Sequence, residues 1–349
     1  MLSQKTRKRL SLFFAVCLAV AIMVAVMPGI QTKAAYTMKE LEAFGNGGYT
    51  DNEILNDAVS QEIAAQSIVL LSNNGVLPLK DTTQIALFGN GATATVKGGT
   101  GSGIVNQRER DWIDTAFEDA GYTITTPKEY REKVGRGIVS TSFVGSILPD
   151  DIELTDAWIE EALAADTAVY VIARNAGEGD DRKANNGDYY LSKTEQANLE
   201  KIAEHFDNVI VVLNTQIIDT GWITGIDNID AVLYIGYGGQ RTGKACVQVL
   251  TGEVTPSGKV SSTWAYDISD YASSIAGFSS LDGETATEYY SDGIYVGYRY
   301  FDTFGIDVAY PFGFGLSYTD FDITVEQVTA DAENVTVTAV VTNTGKEYS

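Results

Sequence analysis

Histidine and cysteine are scarce in this 349-residue chain, which has one His and two Cys. So few ligating and nucleophilic side chains exclude a disulfide scaffold, a zinc cluster and a catalytic centre built on histidine. Basic residues are also few, with 24 Lys and Arg against 47 Asp and Glu, which gives a formal net charge of −23. This charge argues against nucleic acid as a partner, because nothing would neutralise the phosphates. It also disfavours anionic membranes and suits an extracellular protein that handles neutral ligands.

Positive charge is concentrated at the N-terminus, where Lys5, Arg7, Lys8 and Arg9 precede an apolar run over residues 10–27. A basic start followed by an apolar run is typical of a secretory signal peptide, and the small residues around position 34 suit a cleavage site. We therefore expect residues 1–34 to be a signal peptide and the protein to be secreted or extracellular. The alternative is an uncleaved anchor at the cell surface, since an 18-residue run is just long enough to span a bilayer.

Short apolar runs alternate with helical patterns between residues 57 and 252. The runs at 84–88, 168–173, 209–213 and 231–235 predict strands, and the patterns at 112–120, 155–164, 193–206 and 240–250 predict helices. Strands that are apolar throughout and separated by helices indicate a mostly parallel sheet sandwiched between helices. We predict an α/β sandwich core domain at 57–252, preceded by an N-terminal lead-in at 35–56.

The pattern changes after residue 252. Residues 253–319 form an aromatic-rich extension of the core domain, and packing across a domain joint is a commoner use of such a segment than stacking on sugars. From residue 320 onward, apolar and polar residues alternate, which predicts a strand of a new sandwich-like module. A β-sandwich needs about 100 residues, so we expect the module at 320–349 to be truncated.

Three glycine-rich segments follow predicted strands, at 89–103, 175–182 and 236–240. Ligands bind at the carboxyl ends of parallel strands, so these segments are candidates for one site. The first segment fits the G-x-G-x-x-A pattern of a dinucleotide site. However, β-branched residues and the pair Gly98-Gly99 would end the required helix within a turn, which disfavours a dinucleotide cofactor.

Glu178 is the most informative residue of these segments, because the glycines on both sides leave its carboxyl accessible to a ligand. A partly buried Glu in such a loop can donate and accept a proton, and the alternative is a solvated acidic loop. We expect Asp181 and Arg182 to pair with neighbours and support the loop, with a plain surface ion pair as the alternative. Ser102 lacks a G-x-S-x-G frame and His205 falls in a predicted helix, which disfavours a serine-hydrolase triad.

Several stretches carry a family resemblance when they are taken together and in order. They are residues 67–79, 98–106, 177–182 (Gly-Glu-Gly-Asp-Asp-Arg), 187–192, 252–259, 293–302 and 310–319. Over roughly residues 61–321 the chain resembles glycoside hydrolase family 3, the β-glucosidase-like enzymes. The resemblance is to the α/β sandwich domain of that family, which is separate from its catalytic barrel.

The resemblance implies a retaining hydrolase of β-linked glycosides or oligosaccharides that needs no cofactor or metal. The family's acid/base Glu maps onto Glu178, and Ser102 maps onto a loop residue that contacts the sugar. The nucleophile of the family is an Asp on a separate (β/α)₈ barrel. We expect that barrel C-terminal to this chain, after a fibronectin III-like module that begins at 320–349. The chain would then be the N-terminal part of a secreted β-glucosidase or β-xylosidase, and inactive alone.

Two positions depart from the family pattern. The family's Gly-Gln-Glu is Gly239-Gln240-Arg241 here, which puts an acidic role at that corner in doubt, and Asp180 stands where an aromatic or another residue is often found. The alternative function is a non-catalytic carbohydrate-binding or scaffold protein built from the same domain. The sequence leaves the sugar, the linkage and the oligomeric state open.

Overall fold

The computed structural model describes residues 48–80, 82–101, 111–136, 140–142, 145–175, 182–272 and 292–345. The chain divides into two units, residues 1–56 and 57–349. In the described part of the first unit, Thr50 and Glu53 begin a helix with reciprocal bonds. The Glu53 amide donates to Thr50 Oγ1 at 3.2 Å, and the Thr50 amide donates to Glu53 Oε2 at 2.8 Å. Within the described ranges, no helix combines the length and apolar character needed to cross a membrane.

The strands and helices are numbered separately in chain order. The strands are β1 (Val69–Asn73), β2 (Gln84–Phe88), β3 (Thr123–Ile124), β4 (Ser140–Ser142), β5 (Gly145–Ile147), β6 (Thr167–Ala173), β7 (Asn208–Asn214), β8 (Ala231–Tyr234), β9 (Trp264–Ala265), β10 (Val308–Tyr310), β11 (Phe321–Ala330) and β12 (Val335–Asn343). The helices are α1 (Asp51–Ser67), α2 (Asn90–Thr93), α3 (Ile113–Asp119), α4 (Lys128–Val134), α5 (Asp156–Ala162), α6 (Lys193–His205), α7 (Trp222–Gly225), α8 (Thr242–Leu250) and α9 (Tyr298–Phe304).

A six-stranded sheet with the order β1-β8-β7-β6-β2-β3 forms the centre of the second unit. The pairs β8–β7, β7–β6, β6–β2 and β2–β3 are parallel, and β1 pairs with β8 antiparallel. Strand β6 is buried along all seven residues. Its side chains alternate between two apolar layers, with Tyr170 and Ile172 on one face and Val169 and Val171 on the other. This two-sided burial explains why its sequence is apolar throughout.

Helices cover both faces of the sheet. One layer packs α4, α5 and α6 on the sheet through side chains such as Tyr130, Ile159 and Leu199. The other layer uses α1, α3 and α8, through side chains such as Phe117 and Val247. The structure therefore confirms the predicted α/β class, a mostly parallel sheet sandwiched between helices.

The region after the core supplies two antiparallel strand pairs, one short and one long. Strands β9 and β10 pair with each other, and Trp264 packs edge-on against both Tyr310 and Tyr234. Part of the aromatic-rich extension is thus used for packing within this unit. Strands β11 and β12 form an antiparallel ribbon in which Phe321 pairs with Asn343. An antiparallel strand pair therefore stands where the sequence predicts the start of a sandwich, and the fibronectin III-like assignment stays a prediction.

Helix α8 approaches the start of α3 so closely that only glycine fits at position 243. A Cβ built there would lie 2.7 Å from the Trp112 carbonyl carbon. Gly243→Ala should therefore lower the free energy of unfolding by about 1–3 kcal/mol, because backbone atoms would have to move apart. Urea denaturation measures the change. Gly225→Ala, at the end of α7 with open space around its Cβ, is the matched control and should change stability by less than about 1 kcal/mol. Equal losses in the two variants would contradict this account.

Candidate functional site

Two buried asparagines hold together the segments that follow the parallel strands. The Asn90 Oδ1 accepts from the Ala173 amide at 3.0 Å, which connects the end of β2 to the end of β6. The Asn214 side chain, at the end of β7, accepts from the Val96 amide at 2.5 Å and donates to the Gly236 carbonyl at 2.7 Å. The described parts of the first and third glycine-rich segments therefore meet at one edge of the sheet, as the sequence predicts.

The second glycine-rich segment is joined to the same edge through Arg174, the residue that follows β6. Its amide donates to the Asn214 carbonyl at 3.2 Å, and its carbonyl accepts from the Tyr237 hydroxyl at 3.1 Å. Tyr237 belongs to the segment after β8. Arg174, which directly precedes the second segment, is thus hydrogen-bonded to the residues that connect the other two at the carboxyl edge, where α/β sheets bind ligands.

The structure describes only some of the predicted site residues. Glu178, Ser102, Asp181 and Asp180 lie outside the described residues, so their roles stay predictions. Arg182 is described, and its Nε pairs with the Asp188 carboxylate while its Nη2 donates to the Asp188 carbonyl at 2.9 Å.

A buried ion pair that was not identified from the sequence includes Arg174, the residue directly after β6. The Arg174 guanidinium binds the Glu195 carboxylate through two bonds of 2.5 and 2.6 Å, and the two residues are 7% and 3% exposed. Glu195 also completes a capping box at the start of α6, where its Oε2 accepts from the Ser192 amide at 2.7 Å. The Ser-x-x-Glu spacing of that box was a readable signal for the start of α6 and for the place of Glu195 in its first turn. Breaking such a buried pair costs about 3–5 kcal/mol, so it defines a fixed geometry.

A polar cavity of about 370 Å³ lies next to the Arg174–Glu195 pair. Carboxylates, amides and one ammonium group line it, including Asp150, Asp151, Asn175, Lys183, Asn185 and Asn186. Groups of this kind recognise hydroxyl-rich ligands through hydrogen bonds. Among the residues that the structure describes, no group of three His, Cys, Asp or Glu side chains is arranged to hold a metal ion.

Asp151 is the most perturbed carboxyl group at this cavity. It accepts hydrogen bonds from the Tyr170 hydroxyl and from the Ile152 amide, the latter at 2.9 Å. Desolvation by burial raises the pKa of Asp151 to about 6, although the hydrogen bond from Tyr170 acts in the opposite direction. Asp151 can therefore change its protonation state in the mildly acidic range.

The corner at Gly239-Gln240-Arg241, where the sequence departs from the family pattern, contains an ion pair. The Arg241 guanidinium binds the Asp57 carboxylate, with Nη2 2.6 Å from Oδ2. The hydrogen bond from Arg241 lowers the pKa of Asp57. The basic residue at this position thus has a carboxylate partner within the same unit.

Two further predictions concern local structure and are met. The helix that begins in the G-x-G-x-x-A segment, α2, ends at Thr93 after four residues, so it does not form the long helix of a dinucleotide site. His205 is the last residue of α6 and lies with its Nδ1 2.8 Å from the Lys201 carbonyl oxygen. Both observations agree with the predicted short helix and with an ordinary helical histidine.

Comparison with known proteins identifies the family to which this chain belongs. A model of the glycosyl hydrolase family 3 C-terminal domain matches residues 68–318. The match covers more than half of the chain, and the chain therefore belongs to the glycosyl hydrolase family 3 C-terminal domain family. The family resemblance inferred from the motifs is confirmed.

Particular relatives agree with this assignment. The chain is 39% identical over 306 residues to a beta-glucosidase of Ruminococcus albus, covering 84% of this chain and 31% of the relative. It is 37% identical over 298 residues to beta-glucosidase A of Butyrivibrio fibrisolvens, covering 75% of this chain and 35% of that protein. The chain thus spans about a third of the length of these curated relatives.

A solved structure shows the same fold. Beta-glucosidase 3B from Thermotoga neapolitana, in complex with glycerol, superposes with a TM-score of 0.76 at 35% identity. The superposition covers 84% of this chain and 42% of that enzyme.

The protonation of Asp151 should make stability depend on pH. Its folded-state pKa of about 6 lies above the ordinary value of 3.8, so folding favours the protonated carboxyl. This contribution, up to about 3 kcal/mol, is complete below about pH 4 and is lost as the pH rises through 6. Urea unfolding of the wild type and of Asp151→Asn between pH 4 and 7 should show this difference. Asp150→Asn, at the exposed neighbouring carboxyl, is the control. Parallel pH profiles for the wild type and Asp151→Asn would contradict the assignment.

Proposed function

We propose that this chain is part of a secreted, retaining β-glycosidase of the β-glucosidase or β-xylosidase type. In this proposal Glu178 is the acid/base residue and Ser102 contributes to the sugar site. The family match across residues 68–318 carries the proposal. The beta-glucosidase names of the relatives support the substrate class. The location of Arg174 and Arg182, which flank the Glu178 loop near the carboxyl edge of the sheet, supports the site.

The reaction follows two displacements at the anomeric carbon. First, an Asp of the barrel attacks that carbon while Glu178 donates a proton to the glycosidic oxygen, and the aglycone leaves as an alcohol. The product is a covalent glycosyl-enzyme. Then Glu178, now a carboxylate, takes a proton from water as the water attacks the same carbon and releases the sugar and the Asp. The two carboxyl groups of a retaining enzyme lie about 5–5.5 Å apart, so the barrel has to approach this edge closely.

Asp181 and Arg182 support the loop in this proposal. The contacts of Arg182 with the carboxylate and the carbonyl of Asp188 suit that role, because they tie the end of the loop to the next turn. Secretion is supported by the basic and apolar segments within residues 1–34 and by the acidic composition of the chain.

Glu178→Gln in the complete enzyme should lower turnover of cellobiose by about 10²–10⁴-fold, because general acid catalysis is lost. For aryl glucosides with good leaving groups, the rate of the first step should fall less, since the departure of the aglycone needs little protonation. Their glycosyl-enzyme should accumulate, and added azide should rescue turnover with formation of the β-glycosyl azide. Steady-state kinetics and product analysis measure both effects.

Glu160→Gln is the matched control, because Glu160 is an exposed carboxylate on α5. It should leave turnover of both substrate classes within about twofold of the wild type. If Glu178→Gln also leaves cellobiose and aryl substrates equally active, Glu178 is not the acid/base. Asp180 and Asp181 would then be the next residues to replace.

The 349-residue chain alone should show no substantial glycosidase activity. It offers an acid/base carboxyl, whereas retention requires a nucleophile as well, and the proposal places that nucleophile on the barrel. Hydrolysis of an aryl β-glucoside by the purified chain measures this. Turnover comparable to that of a complete family member would contradict the proposal.

A further inference from the structure

A set of exposed apolar side chains surrounds α9 and takes no part in the packed core. Its members are Ile294, Tyr295, Val296, Tyr298, Phe304 and Phe312, each at least 39% exposed. We call this set the α9 patch. Ring centroids lie 5.2 Å apart between Tyr295 and Phe304 and 5.3 Å apart between Tyr298 and Phe312, so the aromatic members pack on one another. Exposed apolar side chains that lie together, unlike scattered single ones, mark an interaction site.

The composition of the α9 patch favours a protein surface as its occupant. Residues 293–298 and 310–318, which contain most of the patch, carry no charged side chain, although the chain as a whole has a net charge of −23. Aromatic residues and a lack of charge are typical of the centre of a protein–protein interface. The side chains of Ile294 and Val296 form no hydrogen bonds with sugar hydroxyls, which disfavours an oligosaccharide. The like charge of two copies disfavours a second copy of this chain.

Contacts within the second unit connect α9 to the carboxyl edge of the sheet. Phe301, a buried residue of α9, packs against Tyr271 with ring centroids 5.7 Å apart. The Tyr271 hydroxyl accepts from the amide of Ala265, in β9, at 3.0 Å. The neighbouring residue of β9, Trp264, packs at 5.0 Å between ring centroids against Tyr234, the last residue of β8. Because β8 is parallel to β7 and β6, its last residue lies at the edge where those strands also end.

The antiparallel ribbon of β11 and β12 leaves the core at the other edge. Tyr318, three residues before β11, donates from its hydroxyl to the Val249 carbonyl at 2.8 Å. Tyr318 also lines a polar cavity of about 640 Å³ together with Asp166, Thr167 and Asn208. Thr167 and Asn208 are the first residues of β6 and β7, so this cavity lies at the amino edge of the sheet. The ribbon therefore starts at the edge opposite to the one that α9 contacts.

We infer that the α9 patch is the surface on which the (β/α)₈ barrel of the complete enzyme packs. The inference rests on the proposed function, which places the nucleophile on that barrel and requires the barrel to approach the carboxyl edge. This chain spans about a third of the length of the beta-glucosidase relatives, so most of such an enzyme lies outside it. Packing of the barrel on the patch removes apolar side chains from water, which stabilises the approach to this edge.

Thiol labelling tests the inference by comparing the 349-residue chain with the complete enzyme. Val296→Cys places a thiol in the patch, in a Cys17→Ser background, and Cys246 is fully buried. The fold should tolerate this replacement, because Val296 is 57% exposed. We expect a maleimide to label position 296 at least about tenfold more slowly in the complete enzyme than in the chain, because labelling then requires the domains to separate. Mass spectrometry of the labelled peptide measures both rates.

Leu163→Cys is the matched control, because Leu163 is 42% exposed and follows α5, four residues before β6 begins at the amino edge. Its thiol should react at the same rate in both proteins. Equal labelling of position 296 in both proteins would overturn the inference. Slow labelling in the chain that becomes faster on dilution indicates a second copy, and labelling of the chain that cellohexaose slows indicates a sugar, so either result overturns it too. Ile294→Cys, at 68% exposure, repeats the measurement if Val296→Cys does not fold.

Photo-crosslinking in the complete enzyme identifies the occupant. Benzoylphenylalanine in place of Phe304 should give cross-linked peptides from the barrel, and peptides from the sandwich-like module alone would overturn the inference. Glu178→Gln separates this result from the proposed function. If Glu178→Gln loses cellobiose turnover while position 296 stays reactive, only the docking surface is wrong. Unchanged turnover together with cross-links to the barrel overturns the acid/base assignment alone, and a complete protein without a barrel overturns both.

Discussion

The two-sided burial of β6 is the constraint on which the rest of this structure depends. All seven of its residues pair with β7, three of them also pair with β2, and its two faces pack in two apolar layers, so its register is strongly constrained. A shift by one residue would exchange the faces of Tyr170 and Val171. Because β6 ends at Ala173, its register decides where Arg174 stands, and Arg174 in turn connects the segments after β7 and β8.

Much of this arrangement could be predicted from the sequence, because the apolar composition of the central strands indicates that they are buried on both faces. The runs that become β2, β6, β7 and β8 are apolar throughout, and the helices between them have a clear period. The antiparallel direction of β1 was not predictable in this way. The run Val69–Asn73 was not among the predicted strands, and its direction depends on pairing with β8 and on a bridge between Leu70 and Leu316. Contacts over such a distance along the chain leave no local pattern.

The same distinction applies to the candidate site. The three glycine-rich segments were predictable, because each follows an apolar strand and parallel strands end at one edge. The side chains that connect them were not singled out, since Asn214, Arg174 and Glu195 occur in stretches that read as ordinary strand ends and helix starts. Glu195 had a local signal in its capping box, but the bond to Arg174 joins residues 21 positions apart. A sequence pattern shows that a carboxylate begins a helix, and only the fold shows what else it binds.

Several arginines of this acidic chain lie beside buried or partly buried carboxylates. Acidic residues outnumber basic ones by 47 to 24, which leaves a surplus of 23 acidic side chains (47 minus 24). Yet Asp57, Asp114, Asp188 and Glu195, which are buried or partly buried, are each bound by an arginine. A guanidinium fork can satisfy both oxygens of a carboxylate and stays charged at every relevant pH.

Asp151 is a partly buried carboxyl group whose described hydrogen-bond donors are neutral groups instead of an arginine. The contacts described for it come from tyrosine hydroxyls, a backbone amide and the Asn198 side chain, and desolvation raises its pKa. Hydroxyl donors do not supply the full positive charge that compensates burial of a carboxylate. The cavity beside the Arg174–Glu195 pair therefore combines two kinds of acidic group. The carboxylates of Asp188 and Glu195 are each bound by an arginine, whereas burial raises the pKa of Asp151 to about 6, in the mildly acidic range.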